Sequence, residues 1–274
     1  MKIAYQGTRG AHSEAALYKH FGKDAEAIGY EASEDVFEAV KHNKVDFGFL
    51  PFENTIAGSV AVNYDLLLKE EVFVIAEVFL KISHALLSHK GSKLENIKIA
   101  YSHPHALEQC RKFLKKHRIK AVPEYDTAGA AEMVAKRKKI EEAAIASELC
   151  AEIYSLEILE KGIETNKNNT TKFFVFVKKE NIPNDLKKEK TSIVFKTKHY
   201  PGALVNCLQR LSKNNINLTK LESRLIPENP WEYVFYADFI GGIDDENVKL
   251  ALNEMEATSI FIKILGSYPK GKEY

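Results

Sequence analysis

The sequence predicts an α/β protein made of a two-lobed region followed by a smaller region of ferredoxin-like type. Short apolar runs alternate with helix-like segments along the first half, and the same alternation starts again near residue 98. After a charged, proline-containing stretch at residues 178–190 the order changes to strand, helix, strand, strand, helix, strand. A chain of 274 residues, 45% of them hydrophobic, is long enough to form two domains with separate cores.

The first lobe begins with strands and helices in alternation. Residues Lys2 to Tyr5 and Val45 to Leu50 are short apolar runs, which predicts two buried strands. Ser13 and Ser33 each precede an amphipathic segment, and we expect each serine to cap a helix. Alternation of this kind is typical of a mostly parallel sheet covered by helices.

The second lobe follows an apolar stretch around Val72 to Leu87, where the same order of elements begins again. Its last predicted strand, Thr171 to Val177, can return to the first lobe and leave a cleft between two lobes. Clefts of this kind are the usual place for a small ligand. The intervening elements expected are a strand at Lys98 to Tyr101, a helix after Pro104, a strand near Ala121, a helix from Thr127, a strand at Ala143 to Ala146 and a helix from Ser147.

The C-terminal region begins after the polar stretch KKENIPNDLKKEK, which has the composition of a linker. Apolar residues at helical spacing mark two helices, near residues 204–211 and 248–255. The order is therefore βαββαβ, the order of a ferredoxin-like sandwich. The strands are expected at Ser192 to Lys196, near Ile216 to Arg224, at Tyr233 to Ile240 and at Ile260 to Leu265.

Charge and cysteine content exclude several classes of function. The formal net charge is +1, so no whole-protein field favours nucleic acid or a membrane surface, and neither is predicted as a partner. The basic runs at 111–120 and 136–139 are interpreted as solvated helix faces, with a functional basic patch as the alternative. The three cysteines are far apart, and the N-terminus has no apolar signal segment. A cytoplasmic location is therefore expected.

Two polar segments lie at the ends of predicted strands. Residues Pro51 to Val60, PFENTIAGSV, place an acid, an amide, hydroxyls and a glycine in one turn, which suits a carboxylate ligand. Ordinary helix capping by Asn54 or Ser59 is the alternative. Residues Asn169 to Phe176, NTTKFFVF, place hydroxyls and a cation at the start of an apolar strand, where they could bind and protonate an anion or simply reflect β-propensity.

Two further patterns are weaker. The turn QGTRGAH, Gln6 to His12, resembles an anion cradle before a helix but lacks the lysine and spacing of a P-loop. His103 and His105 flank Pro104 and could ligate a metal, but no third ligand stands out, and we prefer a role at the helix start. Hydrolase, zinc-protease and dinucleotide-binding motifs are absent from the sequence.

Taken together, these segments resemble the prephenate dehydratase family along nearly the whole chain. Three residues depart from the family pattern: Thr55 stands for the usual serine, Lys172 for arginine and Leu225 for proline. Lysine keeps the charge of arginine but not its planar fork. The matching elements are ENSxxGSV at Glu53, Asn54, Thr55, Gly58, Ser59 and Val60; SHPxALxQC at Ser102, His103, Pro104, Ala106, Leu107, Gln109 and Cys110; NxTRF at Asn169, Thr171, Lys172 and Phe173; GALV at Gly202 to Val205; and ESRP at Glu222 to Arg224.

The resemblance implies a division of the chain. A two-lobed, periplasmic-binding-protein-like catalytic domain would span residues 1–178, with lobe one at about 1–76 plus 165–178 and lobe two at about 77–164. A linker would follow at 179–190 and an ACT regulatory domain at 191–274. The implied activity is conversion of prephenate to phenylpyruvate, with loss of water and carbon dioxide, in phenylalanine biosynthesis. The resemblance implies no cofactor or metal, phenylalanine as inhibitor, and a homodimer or homotetramer.

The resemblance also implies roles for single residues. We assign Thr171 hydrogen-bond donation to the leaving hydroxyl, because an alcohol is a poor general acid near neutral pH. Glu53 is the alternative acid if burial favours its protonated form. The predicted catalytic residues are thus Thr171, Glu53 and Asn54; the substrate-binding residues are Gly7, Thr55, Gly58, Ser59, Asn169, Lys172 and Phe173; and the phenylalanine-binding residues are Gly202, Ala203, Leu204, Glu222, Ser223 and Arg224.

Two alternatives remain open at this point. One keeps the chemistry and changes the substrate to arogenate, the amino analogue of prephenate. The other is a non-catalytic two-lobed sensor, because clefts with anion-binding turns also serve only to bind small molecules.

Overall fold

The structure is a computed structural model that describes residues 1–226 and 229–274. It is an α/β fold in which helices cover sheets of mixed strand direction. Among the helices of the described residues, none has the length and apolar character required to cross a bilayer.

The first half of the chain follows the predicted alternation. Its elements are β1 (Lys2–Gln6), α1 (His12–Phe21), β2 (Glu26–Tyr30), α2 (Ser33–Lys41), β3 (Phe47–Asn54), β4 (Gly58–Ser59), α3 (Ala61–Lys69), β5 (Val72–Lys81), β6 (Ala85–Ser88), a 3-10 turn (Leu94–Asn96), β7 (Ile99–Ser102), α4 (Pro104–Gln109), α5 (Arg111–His117), β8 (Lys120–Pro123) and α6 (Thr127–Arg137).

The second half contains the predicted βαββαβ order from residue 190 onward. Its elements are β9 (Glu142–Ala146), α7 (Glu148–Tyr154), β10 (Glu157–Lys161), β11 (Thr170–Lys178), a 3-10 turn (Lys179–Asn181), β12 (Lys190–Thr197), α8 (Ala203–Lys213), β13 (Leu218–Ile226), β14 (Asn229–Ile240), α9 (Glu246–Thr258), β15 (Ser259–Tyr268) and β16 (Lys272–Glu273).

The chain divides into two compact units. The first consists of residues 1–60, 78–173 and 273–274, and the second of residues 61–77 and 174–272. Strands β5 and β11 each contribute residues to both units. These units are defined by contacts, whereas the predicted domains are defined by function, so the predicted domain boundaries stay a prediction.

The first unit contains two groups of strands. Strand β1 lies between β2 and β3 and pairs in parallel with both. A separate five-stranded sheet has the order β10-β6-β9-β7-β8, with β7 parallel to β8 and β9, and β6 antiparallel to β9. All five residues of β9, EAAIA, are buried, and the alanines of α6 pack against this sheet. Small side chains on both surfaces let the helix approach closely.

The second unit has antiparallel strands in the order β13-β14-β12-β15. Its core is formed by apolar residues of the central strands and of α8 and α9, among them Phe195, Leu211 and Met255. Helix α8 has most of its apolar residues on one face, where Ala203, Cys207 and Leu211 are buried, while Val205 is exposed on the other side.

The expected serine caps of the first two helices are wrong. Helix α1 begins at His12 after Ala11, and helix α2 begins at Ser33 itself after Ala32, with no side-chain cap at either start. In α1, Glu14 lies one turn in and its carboxylate accepts from the N–H of Gly10. An acid in the first turn thus pairs with the N–H of the residue before the N-cap, whereas a serine cap would have accepted from an N–H inside the first turn.

Candidate active site

The turn after β3 is built around the side chain of Asn54. Its Oδ1 accepts hydrogen bonds of 2.9 Å from the N–H groups of both Ile56 and Ala57. Gly58 follows with φ at +82°, a left-handed conformation that glycine adopts without strain. The chain then returns as β4, where Ser59 pairs with Glu53. The turn predicted from PFENTIAGSV is therefore a tight, exposed hairpin with one amide side chain holding its shape.

Thr55 attaches this turn to the segment that leads into β11. Its hydroxyl donates to the carbonyl of Asn168 at 2.8 Å and accepts from the N–H of Thr170 at 3.0 Å. Its own N–H donates to the carbonyl of Thr170 at 3.0 Å. These bonds bring together two segments that are more than 100 residues apart in the sequence.

The amide of Asn54 connects the turn to Asn169 and Thr171. Its Nδ2 donates to Asn169 Oδ1 at 2.7 Å and to Thr171 Oγ1 at 2.9 Å. Because Asn54 Oδ1 is occupied by two backbone N–H groups, the other end of the amide must be the NH2 group. Thr171 therefore accepts a hydrogen bond from Asn54, and its hydroxyl hydrogen is directed elsewhere.

Lys172 and Glu53 form an ion pair beside this network, with 2.6 Å between Nζ and Oε1. The lysine side chain is 6% exposed and that of the glutamate 30%. In such a pair the glutamate is a carboxylate, which accepts hydrogen bonds and has no proton to donate. The pair thus places a buried positive charge at the start of β11 and its partner nearer to solvent.

Two residues that were given no role from the sequence extend the network inward. Gln109 Oε1 is 3.2 Å from Asn169 Nδ2 and 2.7 Å from His84 Nε2. His84 is 3% exposed, and burial lowers the pKa of its ring. Two features of the sequence could have indicated these residues: Gln109 belongs to the SHPxALxQC element, and His84 is the one histidine in the apolar stretch from Val72 to Leu87.

Gly7 and Phe173 lie in other surroundings. Gly7, with φ at +129°, lies in the turn after β1 and lines a cavity of about 1270 Å³. The lining of that cavity includes none of Glu53, Asn54 or Thr171. The ring of Phe173 is buried and stacks on Phe49 at 4.9 Å, so in this structure it holds β11 against β3. Their roles in substrate binding stay predictions.

The predicted effector residues lie on two elements of the second unit. Gly202 is the residue before α8, with φ at +86°, and with Ala203 and Leu204 it lines a cavity of about 250 Å³. The other three residues lie on β13, where Arg224 forms a two-pronged ion pair with Asp65 of α3 and Lys220 pairs with Glu222. None of the β13 residues lines the cavity next to Gly202.

The preferred role of the HxH pair is confirmed. His103 is the N-cap of α4, and its Nδ1 accepts from the N–H of His105 at 3.3 Å. Within residues 1–226 and 229–274 no three His, Cys, Asp or Glu side chains are grouped as metal ligands.

The fold and this network define an α/β protein with a polar cluster of amides, hydroxyls and one buried ammonium group where the turn after β3 meets the start of β11. The model of the prephenate dehydratase domain matches residues 3–181. The chain therefore belongs to the prephenate dehydratase family, as its motifs predicted, and the family is one of dehydratases.

Relatives with assigned names support this membership. Arogenate dehydratase/prephenate dehydratase 2 of Arabidopsis thaliana is 39% identical over 98% of this chain and 73% of its own length. The bifunctional chorismate mutase/prephenate dehydratase of Aquifex aeolicus is 37% identical over 98% of this chain and 74% of its own length.

Two solved structures are similar over nearly the whole chain. The prephenate dehydratase of Arthrobacter aurescens in complex with L-Phe has a TM-score of 0.86 and 29% identity, covering 98% of this chain and 89% of that one. GqqA, described as a novel type of quorum quenching acylase, has a TM-score of 0.90 and 31% identity, covering 98% of both chains.

Proposed function

We propose that this chain converts prephenate to phenylpyruvate in phenylalanine biosynthesis and that phenylalanine inhibits it. The observation that carries the proposal is the hydroxyl of Thr171, which accepts from Asn54 and keeps its hydrogen for another acceptor. The proposal is supported by membership of the family and by the printed activities of the relatives.

The reaction sets two requirements for the site. Prephenate is a dianion that loses its ring carboxylate as carbon dioxide and its ring hydroxyl as water, so one proton must be taken up for the atoms and charges to balance. A hydrogen bond from Thr171 to the departing oxygen stabilises the negative charge that develops there. Thr171 orients and donates, and the proton that completes the water molecule comes from solvent.

Glu53 is the weaker candidate for the proton donor. Its carboxylate is 2.6 Å from the ammonium group of Lys172, and a carboxylate in an ion pair has no hydrogen to give. We assign Glu53 to holding Lys172 in place while the site is empty. A substrate carboxylate arriving at Lys172 would share that ammonium group, which has three donors.

Asn54, Thr55, Gly58 and Ser59 are proposed to form the wall of the site next to the substrate. The Asx-type turn at Asn54 fixes both the backbone of the hairpin and the position of Thr171. Because these groups are held before substrate arrives, little reorganisation is needed when charge develops.

The experiment that tests the activity is ultraviolet detection of phenylpyruvate formed from prephenate. Arogenate is the second substrate to offer, because relatives carry both dehydratase names, and its product would be phenylalanine. Turnover of prephenate at a higher kcat/KM than arogenate supports the proposal, and the reverse order makes the chain an arogenate dehydratase. Binding of prephenate without any product would favour the non-catalytic sensor.

Regulation is proposed to reside in the C-terminal region. We assign residues 191–274 to an ACT domain, residues 1–178 to the catalytic domain and residues 179–190 to the linker, in a cytoplasmic homodimer or homotetramer. The cavity at the start of α8 supports this assignment, because a helix start with a glycine offers N–H groups to a carboxylate. The complex of the Arthrobacter aurescens enzyme with L-Phe also supports an amino-acid effector.

A further inference from the structure

The hydrogen-bond network of the site ends on a histidine that the proposed mechanism does not use. From Thr171 it passes through the amides of Asn54, Asn169 and Gln109 to Nε2 of His84, with successive distances of 2.9, 2.7, 3.2 and 2.7 Å. Asn169 is 1% exposed and His84 is 3% exposed, so the inner part of this chain is closed to solvent.

The direction of every bond in the chain follows from the turn at Asn54. Asn54 presents its NH2 group to Asn169, so Asn169 presents Oδ1 there and turns its own NH2 group to Gln109. Gln109 must then present Oε1, which is the atom that also faces His84. Because an amide oxygen only accepts, His84 must carry its hydrogen on Nε2.

The other nitrogen of His84 shows what this arrangement costs. With the hydrogen on Nε2, Nδ1 is a bare acceptor, and it is buried with no hydrogen-bond partner among the described residues. An unpaired buried polar atom is destabilising, and an apolar residue at this position would avoid that cost. The Nε2–H donor towards Gln109 is the feature that an apolar residue could not supply.

We infer that His84 is a positioning residue for the reaction: its Nε2–H holds the Gln109 amide in the orientation that the turn at Asn54 requires and so, through Asn169 and Asn54, keeps the hydroxyl of Thr171 in place. If Nε2 of His84 carried no hydrogen, the Gln109 amide would rotate to present its NH2 group to the histidine. Because the same end of the amide also faces Asn169, two NH2 groups would then oppose each other. The network has one consistent arrangement, which the turn at Asn54 defines at one end and the Nε2–H of His84 supports at the other. This inference rests on the proposed function, because its effect is read in turnover.

His84 is itself held in place by its neighbours. Its backbone N–H donates to Glu164 Oε2 at 2.9 Å, and its carbonyl accepts from the N–H of Ile163 at 3.1 Å. The ring of His12 packs edge-on against it, with 5.1 Å between ring centroids. The donor therefore points in a fixed direction before any substrate binds, as a positioning role requires.

The test compares His84→Leu, which removes the donor, with His84→Gln, whose amide NH2 group reaches a similar position. Since loss of orientation at a reacting group can cost about 100-fold, we expect His84→Leu to lower kcat by roughly 30-fold or more, with KM changed less than about threefold. His84→Gln should recover at least a third of wild-type kcat. Equal activity of His84→Leu and wild type, or equal loss in both variants, would overturn the inference.

A double-mutant cycle separates positioning from general damage. If His84 acts through Thr171, adding His84→Leu to Thr171→Ala should change the residual kcat by less than about twofold, because coupled residues are not additive. Multiplication of the two losses would refute the inference.

A measurement on the wild-type protein covers the case in which His84→Leu does not fold. Nitrogen NMR of isotope-labelled histidine distinguishes the two neutral tautomers, and the His84 signal is assigned by its loss in His84→Gln. The Nε2–H tautomer is expected, and the Nδ1–H tautomer would overturn the inference. This readout needs no turnover, so it stands even if wild-type protein proves inactive on prephenate, an outcome that would refute the proposed function instead.

Discussion

At the residue scale, the hydroxyl of Thr171 is the group most closely tied to the proposed chemistry. It lies at the start of β11, is 9% exposed, and accepts from the amide of Asn54. We predict that Thr171→Ala lowers kcat by roughly 100-fold or more, the scale for loss of a transition-state hydrogen bond. Steady-state assays with prephenate measure this effect.

Thr170→Ala is the matched control, because it deletes a neighbouring hydroxyl that makes no bond to Asn54 in the structure. Its kcat should stay within about threefold of wild type. Near-wild-type kcat for Thr171→Ala, or equal losses in both variants, would remove Thr171 from the mechanism.

Lys172 is expected to act on substrate binding. An ammonium group that holds a carboxylate contributes similarly in ground and transition states, so Lys172→Ala should mainly raise KM. The substitution also removes the ammonium group that lies 2.6 Å from the carboxylate of Glu53. The double variant Lys172→Ala with Glu53→Gln is therefore the control, because it removes the charge of that carboxylate as well. Lys172→Arg should be tolerated. A lost kcat with unchanged KM in Lys172→Ala would contradict the assignment.

His12 gives a prediction for stability against pH. Burial, with a smaller contribution from the facing His84, lowers the pKa of His12 from 6.5 to about 3. Between these values the unfolded chain binds a proton that the folded chain does not. The contribution of neutral His12 to the free energy of unfolding is therefore fully present above pH 6.5 and is lost as the pH falls towards 3. The loss from this group is at most about 1.4 kcal/mol per pH unit.

The measurement is the unfolding free energy in urea at several pH values. His12→Phe keeps a ring but cannot titrate, so its decline between neutral pH and about pH 4 should be shallower than that of wild type. His42→Gln, at an exposed position on the surface of the first unit, is the control. Parallel curves for wild type and His12→Phe would contradict the assignment.

The polar residues of the site were predictable to the extent that they lie beside a predicted strand in the sequence. Asn54, Thr55, Asn169 and Thr171 fall in short segments at strand ends, where the density of polar residues is higher than in the strands themselves. The ion pair of Lys172 with Glu53 was not predictable, because it joins positions far apart in the chain. His84 was missed for the same reason: one histidine in an apolar run has no recognisable role until its partner is known.

At the element scale, the apolar runs predicted the buried strands well and, among the strands at the ends of the two sheets, only β8 and β13. Strands β2 and β10 were missed, and their residues are largely exposed or half-buried. An edge strand covered on one side only carries a weak apolar pattern, and its pairing depends on a neighbour that is distant in the sequence.

Helix α3 shows how an element can be stabilised by a distant residue. The ammonium group of Lys263 on β15 donates to the carbonyls of Leu67, Leu68 and Glu70, at 2.8 to 3.1 Å. The carbonyls of Leu67 and Leu68 belong to the last turn of the helix and that of Glu70 follows it, where backbone acceptors lack helical partners and a cation is favourable. Burial lowers the pKa of Lys263, so its charge is maintained against a desolvation cost.

We predict that Lys263→Met lowers the free energy of unfolding by about 2 kcal/mol, the range for hydrogen bonds to a charged group. Urea unfolding measures the change. Lys249→Met on α9 is the control, since that lysine forms only an exposed pair with Glu246 and should change stability by less than about 0.5 kcal/mol. Equal stability of Lys263→Met and wild type would show that water replaces the ammonium group.

At the scale of the whole molecule, the division of the chain into units could be predicted only in part. The polar stretch 178–190 and the change of pattern after it indicated a C-terminal region from the sequence alone. Nothing in the sequence indicated that residues 61–77 belong to the second unit. They belong to it through contacts such as the ion pair of Arg224 with Asp65 and the hydrogen bonds of Lys263 to the end of α3.

This organisation decides how regulation should be tested. Deleting residues from Thr191 onward should abolish the response to phenylalanine, but it also removes Arg224 and Lys263, the partners of α3. Loss of activity in that truncated protein would therefore have two explanations. A single substitution at the proposed effector site in the full chain separates them.

Gly202→Val is that substitution. A side chain at Gly202 meets no atom within 4 Å in the empty structure, so it would occupy the space where the effector's carboxylate is proposed to approach α8. If phenylalanine binds two states of the enzyme unequally, blocking this site should raise the concentration needed for inhibition by more than roughly tenfold and leave basal kcat within about twofold.

Because φ at Gly202 is +86°, valine also introduces backbone strain, on the order of 1–3 kcal/mol. Gly91→Val is the matched control, since Gly91 has the same φ of +86° and equally open surroundings in the first unit. Gly91→Val should be inhibited at the wild-type concentration of phenylalanine, and Gly202→Val only at the higher one. Unchanged inhibition in both variants would rule out an effector site at α8. Inhibition of Gly202→Val that is competitive with prephenate would place phenylalanine in the catalytic site.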